Sequence, residues 1–423
     1  MHNHVLQAAI IFLLTYVAIV TEKLNRTLIA LLGALIMIIF SVISQEHAFA
    51  SIDFNTIGLL VGMMIIVIIL KRTGIFQYIA IRAAKAAKGE PWRILVLLSV
   101  ITASASAFLD NVTTILLVAP VTLVITDTLN INPIPFLFSE ILAANIGGTA
   151  TLIGDPPNIM IGGATGLGFM DFVLNLTPVV IVIFIVTIFL LKFGYGKSLN
   201  TSEELKIKIT ELDETKAIQD RRLLVKSLII LALTIIGFVL HQFLMLESAT
   251  IALLGAVLLL LISGVEPEDI LVEIEWTTIF FFTGLFILVG ALEEVGIINN
   301  IAVKLIALTN SDLFLMTMLI LWISAILSAF LDNIPFVATM IPLIHSMGEL
   351  SGIDVTSLWW ALSLGACLGG NGTIIGASAN VIANGMLEKH GYKIGFFTYM
   401  KTAFPIMLVS IAIAAVYLIL FYI

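Results

Sequence analysis

Apolar residues arrive along this chain in blocks of about 15–22, separated by short polar gaps; each block approaches the length a helix needs to cross ~30 Å of hydrocarbon. The first half predicts spans near 5–20, 27–44, 55–71, 134–162 and 172–194. A polar segment from Lys197 to Lys226 follows, and the second half predicts spans near 227–245, 250–263, 277–292, 357–384 and 402–421. Two further apolar stretches, 94–126 and 314–347, are interrupted at their middle by an Asp-Asn pair. Arms of roughly 15 residues cover only ~22 Å, so both stretches are expected to be re-entrant hairpins, buried or lining a cavity where non-helical backbone is tolerated. The expected fold is all-α and polytopic, with about 10 transmembrane helices, two re-entrant hairpins and two inverted repeats.

The halves match at a constant offset of 222, the difference between 29 and 251. Ile29–Ala34 (IALLGA) recurs as Ile251–Ala256, and Ser106–Asn111 (SAFLDN) as Ser328–Asn333. Gly62, Gly74, Pro120, Gly147, Gly148, Gly154 and Asn158 recur as Gly284, Gly296, Pro342, Gly369, Gly370, Gly376 and Asn380. Matches among Leu, Ile and Ala are cheap in so apolar a chain, whereas Gly, Pro and Asn in register are not. The expected units are 1–195, a cytoplasmic linker 196–226, and 227–423. An odd number of crossings in each half turns the second upside down relative to the first. Inverted repeats with broken helices and a midplane site are the architecture of secondary transporters.

Charge sharpens the picture. Only 11% of the 423 residues are charged and 60% are hydrophobic, with a mean hydropathy of +1.15, which excludes an ordinary soluble fold. The net charge of −8 argues against nucleic acid. One cysteine, Cys367, excludes a disulfide framework. No basic leader precedes the first block, so it reads as a retained span. With the N-terminus outside, the basic residues fall in the loops around Lys23–Arg26, Lys71–Arg93, Lys192–Lys226 and Lys389–Lys401, and Lys304 alone falls outside. By the positive-inside rule those loops are cytoplasmic and both termini extracytoplasmic, in a cell inner (plasma) membrane.

Four polar motifs interrupt the apolar pattern. The hairpin tips carry Ser106, Asp110, Asn111, Thr113 and Thr114, and Ser328, Asp332 and Asn333. Carboxylates at membrane depth usually mark ion or substrate paths, and Asp-Asn also suits a helix start. Oxygen-only ligands suit a proton or hard cation. The other two motifs are Asn145–Asn158 (NIGGTATLIGDPPN) and Cys367–Asn380 (CLGGNGTIIGASAN). Paired glycines followed by prolines should unwind a span, exposing Asn145, Gly147, Gly148, Thr149, Thr151, Asp155 and Asn158, or Gly369, Gly370, Asn371, Thr373, Ser378 and Asn380. Half-helix N-termini then face an anion or polar solute, and freed carbonyls a cation. Asp155 has Ala377 as its repeat partner, which makes it the first candidate for a protonatable carboxylate. His345 is expected to be a hydrogen-bonded core residue, Cys367 a packing residue, and Glu140 to face the cavity or the cytoplasmic interface. With no Lys or Arg expected at membrane depth, the cavity should favour a neutral solute, a weakly charged anion or a cation. No nucleotide-binding loop is present, so an ion gradient is the expected drive.

SAFLDNVTT, NIGGTATLIGDPPN, SAFLDNIPF and NGTIIGASAN resemble the arsenical-pump and melanosomal P-protein branch of the ion transporter superfamily. That resemblance spans essentially the whole chain. It implies a scaffold domain, a transport domain, homodimers, and substrate and coupling-ion sites at the matching tip and unwound-helix positions. It also admits a cytoplasmic ATPase partner. Dicarboxylate carriers of the superfamily favour Ser-Asn-Thr at the tips, where this chain has Asp-Asn-Val-Thr and Asp-Asn-Ile-Pro. The expected function is H⁺- or Na⁺-coupled secondary transport of a small inorganic solute, foremost arsenite or antimonite efflux by proton exchange. Sodium/proton antiport and sodium-coupled anion transport are the alternatives; a passive channel or an intramembrane aspartyl protease is remote. No enzyme activity, cofactor or bound metal beyond a transported Na⁺ is expected.

Overall fold

The computed structural model of the protein describes residues 2–21, 24–196 and 199–423. Every described regular element is helical. The first half runs α1 (His2–Val20), α2 (Arg26–Ile39), α3 (Gln45–Ala50), α4 (Phe54–Lys71), α5 (Ile75–Ala86), α6 (Pro91–Ser106), α7 (Asn111–Thr128), α8 (Ile134–Gly148), α9 (Pro156–Thr165) and α10 (Phe169–Tyr195). After α11 (Glu203–Thr210), the second half runs α12 (Arg221–Leu244), α13 (Ser248–Ser263), α14 (Pro267–Leu271), α15 (Trp276–Glu294), α16 (Ile297–Thr309) and α17 (Leu313–Phe330). It ends with α18 (Asn333–Ser351), α19 (Thr356–Gly369), α20 (Ser378–Lys389) and α21 (Phe396–Phe421).

The repeat is visible in the helix starts. Subtracting 26, 45, 54, 75, 91, 111, 134 and 156 from 248, 267, 276, 297, 313, 333, 356 and 378 gives 222 each time. The same local chemistry sets both members of a pair. Asp110 caps α7 by accepting from the Thr113 amide at 2.8 Å, and Asp332 caps α18 by accepting from the Ile334 amide at 3.1 Å. Gly74 and Gly296 precede α5 and α16 at φ +80° and +76°, a left-handed conformation that glycine adopts without a Cβ penalty.

Packing exchanges equivalent elements between the halves. α2 lies on α15 and α4 on α13, while α7 packs against α20 and α9 against α18. Swapping the halves leaves this pattern unchanged, as a two-fold relation between the repeats requires. Glycine sets the closest approaches. A Cβ on Gly62 would stand 2.6 Å from the Ala252 carbonyl carbon, and one on Gly284 2.7 Å from that of Ala30. Within each half the hairpin backs onto the broken span: a Cβ on Gly147 would lie 2.1 Å from the Ala103 carbonyl oxygen, and one on Gly369 2.5 Å from that of Ala325.

The spans predicted at 134–162 and 357–384 are each two helices, with Thr149–Asp155 unwound in the first and short 3₁₀ turns at Gly370–Gly372 and Ile374–Gly376 in the second. The hairpin arms differ from expectation. α6, α7, α17 and α18 have 16, 18, 18 and 19 residues, and α6, α7 and α18 continue beyond the apolar runs into polar ends. Among the described residues, seven helices are long and apolar enough to cross a membrane, and α7 and α17 are among them. Arm length therefore does not distinguish a hairpin from two spans, and the tips meet the broken helices. The chain is a multi-pass membrane protein.

The polar segment after α10 is more structured than its composition suggested. α12 begins at Arg221 rather than near 227, since Asp220 caps it by accepting from the Arg222 and Leu223 amides. Before that cap the segment is pinned to α5: Lys85 Nζ donates to the Leu212 carbonyl at 2.8 Å, and the Gln219 amide to the Thr73 carbonyl at 3.0 Å. Lys23 and Lys197, two of the cations that set the expected orientation, lie outside the described residues.

The glycine contacts predict a stability test. Gly147→Val pushes a branched side chain into the Ala103 carbonyl and should cost about 1–3 kcal/mol. Gly194→Ala, whose added Cβ would meet no other packed atom of the described residues within 4 Å, should leave the melting temperature in detergent unchanged. Equal melting temperatures for the two variants would refute the close-packing role of Gly147.

Candidate functional site

Two broken helices at membrane depth leave peptide groups that no water satisfies. One asparagine in each half closes its own loop. Asn158 Nδ2 donates to the Thr149 and Thr151 carbonyls at 3.1 and 2.9 Å. Asn380 Nδ2 donates to the Gly370 and Thr373 carbonyls at 2.8 and 2.9 Å. The Thr151 and Thr373 hydroxyls donate to the Ala107 and Ala329 carbonyls, tying each loop to the hairpin tip of its own half.

The loops are then joined across the halves. Asn145 Nδ2 donates to Asn371 Oδ1 and Asn380 Oδ1, both at 2.9 Å. Asn111 Nδ2 donates to Asn145 Oδ1 at 3.1 Å. In the other direction Ser363 Oγ donates to Asn158 Oδ1 at 2.6 Å, with Cys367 Sγ at 3.6 Å from the same oxygen. Asn145 and Cys367 are repeat partners (367 minus 145 is 222) and each faces the loop asparagine of the opposite half. Cys367 is fully buried.

Asp155 lies beside this asparagine layer, 1% exposed. Among the described residues its Oδ1 accepts only from Asn333 Nδ2, at a long 3.4 Å. Its Oδ2 has no hydrogen-bond partner, although the Cys367 thiol is beside the carboxyl; a thiol is a weak donor. An ionised carboxylate buried this way costs several kcal/mol. It is stable with a bound proton or an adjacent cation.

Asp155, Asp110, Asn111, Asn333 and Ser378 share a cavity of about 230 Å³ with Arg26 and Glu275. These last two residues escaped the sequence reading, and one expectation is thereby overturned. Arg26 is not a loop cation. It opens α2, and its guanidinium forms an ion pair with Asp332 at the tip of the second hairpin. It also donates to Ser378 Oγ at 3.0 Å and lies over the Phe281 ring, 5.0 Å from its centroid. A fixed positive charge thus reaches the site, but Asp332 already neutralises it. Asp110, Asp155 and Glu275 leave the cavity acidic.

The remaining candidates divide by role. Ser106 and Thr114 are fully buried below the first tip, with hydroxyls that have no partner. Ser328 Oγ donates to the Ala366 carbonyl at 2.6 Å, and Thr149 Oγ1 to the Asn145 carbonyl at 2.7 Å. Thr113 serves through its amide, and Gly147, Gly148, Gly369 and Gly370 through close packing. Glu140 faces neither the cavity nor an interface: it is fully buried and hydrogen-bonded to Thr122. His345 is not a core residue. It is exposed on the wall of a second cavity of about 330 Å³, with Asp53, Glu293 and Glu349, and its Nε2 is 3.2 Å from the Ala164 carbonyl oxygen. Asp53 and Glu275 are repeat partners (275 minus 53 is 222), each preceding a long helix. That matched pair of acids was a readable signal for Glu275.

The profile of the CitMHS citrate-transporter family matches residues 16–365. An uncharacterized transporter of Mycobacterium tuberculosis is 46% identical over 417 residues, covering 97% of each chain. The P protein of Homo sapiens is 35% identical over 488 residues, covering 95% of this chain and 58% of that one. Among solved structures, the YdaH transporter of Alcanivorax borkumensis, described as having an unusual topology, superposes with a TM-score of 0.59 over 98% of this chain and 97% of that one. Its sequence identity is 14%, so the likeness concerns the fold.

The Arg26–Asp332 pair can be tested without a substrate. Its side chains are 36% and 14% exposed, so solvent screens it in part. A double-mutant cycle of Arg26→Gln and Asp332→Asn should give a coupling energy of about 0.5–3 kcal/mol from unfolding in detergent. Additive effects would show that the pair does not hold α2 to the tip.

Proposed function

The chain belongs to the citrate-transporter family (CitMHS), on the arsenical-pump and P-protein side of the ion transporter superfamily, and from that premise we propose a proton-coupled exchanger for arsenite- or antimonite-type hydroxides. That it is a secondary membrane transporter follows from the family. Proton coupling and the solute class are inferred from the site. Asp155 is the observation that carries it: a buried carboxylate with one free oxygen, beside Asp110 and Glu275, in a cavity whose arginine is already paired. A free multivalent anion would meet a net-acidic wall there. Arsenious acid is uncharged at neutral pH and meets only amides and hydroxyls. Protonation of Asp155 would alternate with solute occupancy, with Asp110 and Asp332 held at the tips that frame the site.

Arg26 favours a second reading. A carboxylate of the citrate class could displace Asp332 from the guanidinium while cations occupy Asp110, Asp155 and Glu275; this is the sodium-coupled anion carrier. Sodium/proton antiport would use the same carboxylates with no further solute. The proposed frame is two inverted halves, 1–195 and 227–423, with re-entrant hairpins. The basic loops would be cytoplasmic and both termini outside an inner membrane, and the chain would act as a homodimer. A cytoplasmic ATPase is not needed for gradient-driven exchange.

Everted membrane vesicles separate these readings. With an acid-inside gradient, arsenite should accumulate and the gradient should partly collapse; Asp155→Asn should reduce accumulation to that of empty vesicles while keeping the melting temperature. Gradient collapse on adding sodium without metalloid would favour the antiporter, and accumulation of citrate with sodium the anion carrier. Either result without arsenite movement would sink the exchange proposal.

A further inference from the structure

Glu140 is the buried carboxylate that this mechanism leaves unused. It lies six residues into α8, ~9 Å along the helix from its start and ~7.5 Å before Asn145. It is 0% exposed; its Oε1 accepts from Thr122 Oγ1, and its Oε2 has no partner. The interior of the α6–α7–α8 bundle around it is polar. Ser99 Oγ donates to Ser139 Oγ at 3.1 Å, and Ser99, Thr102 and Ser106 form a buried stripe at helical spacing on α6. On α7, Thr126, Thr122 and Thr114 are also fully buried. The Ser106 and Thr114 hydroxyls, nearest the tip, are unpartnered.

The sister bundle of α17, α18 and α19 is the control. Adding 222 converts Ser99, Thr114, Thr122, Thr126, Ser139 and Glu140 into Leu321, Phe336, Ile344, Gly348, Ala361 and Leu362. Thr102 and Ser106 keep a hydroxyl there as Ser324 and Ser328, but the positions matching Thr122 and Glu140 are apolar, with Ile344 and Leu362 fully buried. Packing alone does not call for a carboxylate. A buried acid that is uncompensated by charge and confined to one of two equivalent bundles is costly to keep.

We propose that Glu140 is a second proton-binding site, relaying the coupling proton between the Arg93 end of the bundle and the carboxylates at the tips. This rests on the proton-coupled reading of the preceding subsection. A proton taken on Oε2 leaves from the same carboxyl toward the tips, and each hydroxyl on the way accepts one proton and releases its own. The relay requires water between the hydroxyls, which the unpartnered Ser106 and Thr114 hydroxyls could hydrogen-bond. Other titratable groups on the helices packed against α8 lie elsewhere along them: Arg93 opens α6, Asp127 ends α7, Asp171 opens α10 and Lys192 and Tyr195 end it, Glu388 and Lys389 end α20, and Cys367 is beside Asn158.

The test uses the full chain in liposomes, comparing wild type, Glu140→Gln and the double variant Glu140→Leu/Thr122→Ile, which copies the sister bundle. Infrared difference spectra across a pH titration should show a carboxylic C=O band that both variants lose. The double variant should keep arsenite counterflow, which needs no net proton movement, and lose proton-driven accumulation. Wild-type accumulation in the double variant, or the absence of any pH-responsive band assignable to Glu140, would overturn the proposal. If wild-type protein moves citrate with sodium and no arsenite, the exchange reading fails. The infrared band still decides whether Glu140 binds a proton.

Discussion

Peptide groups freed by breaking a helix inside a membrane must be satisfied by the protein, and here one asparagine in each half does this. Asn158 and Asn380 each hold two carbonyls of their own loop, and each offers its remaining oxygen to the opposite half. Asn145 takes up Asn380, and Ser363 takes up Asn158. Each unwound segment is thus held both by its own half and by the half docked against it. The rest of the site follows from that docking. The hairpin tips approach because Thr151 and Thr373 hold them to the loops, and the glycine pairs let the hairpins lie directly against the broken spans.

Much of this arrangement was legible in the sequence because duplication left a register to read. Gly147-Gly148 and Gly369-Gly370 locate both breaks, Pro156 and Ser378 both restarts, and Asp110 and Asp332 both tip caps. Arg26 was not legible. It sits at the edge of an apolar block among loop-like polar residues, and its partner is 306 positions away in the other half. No local pattern links the two, because tertiary packing alone brings the second tip to the start of α2. The hairpin arms were misjudged for a related reason. Apolar runs measure what meets lipid, whereas α7 and α18 carry polar residues inside the protein and outlast those runs. In sequence Glu140 reads as a cavity or membrane-edge residue because α8 starts close by; burial between α6 and α7 is a property of the bundle.

The two halves agree where backbone is concerned and differ at several charged positions. Glycines, loop asparagines and tip aspartates recur; Asp155, Glu140 and Arg26 face Ala377, Leu362 and Ser248 across the repeat. Backbone geometry must be the same in both halves for the loops to dock, so the residues that set it cannot diverge independently. Charge is under no such constraint, and a duplicated carboxylate at each position would double the desolvation cost.

The cavities carry the same asymmetry. Near Arg26, Glu275 shares a cavity with the first residues of α7, Asn111 to Leu116. At the other end, Asp53 shares one with Ala338 to Glu349 of α18, which correspond to 116–127 of α7 by subtraction of 222. The hairpins therefore sit nearer one end of the α4–α15 pair than the other. Equivalent repeats related by a two-fold axis could occupy equivalent positions only at a midpoint, where neither cavity would be favoured. A carrier must hold its site open to one side at a time, and this structure holds the tips within reach of the cavity that contains Arg26. The polar bundle around Glu140 enters from that end too. Both the aqueous approach to Asp155 and the buried file of hydroxyls beneath it thus converge on the first hairpin, which is where the two halves differ most in charge.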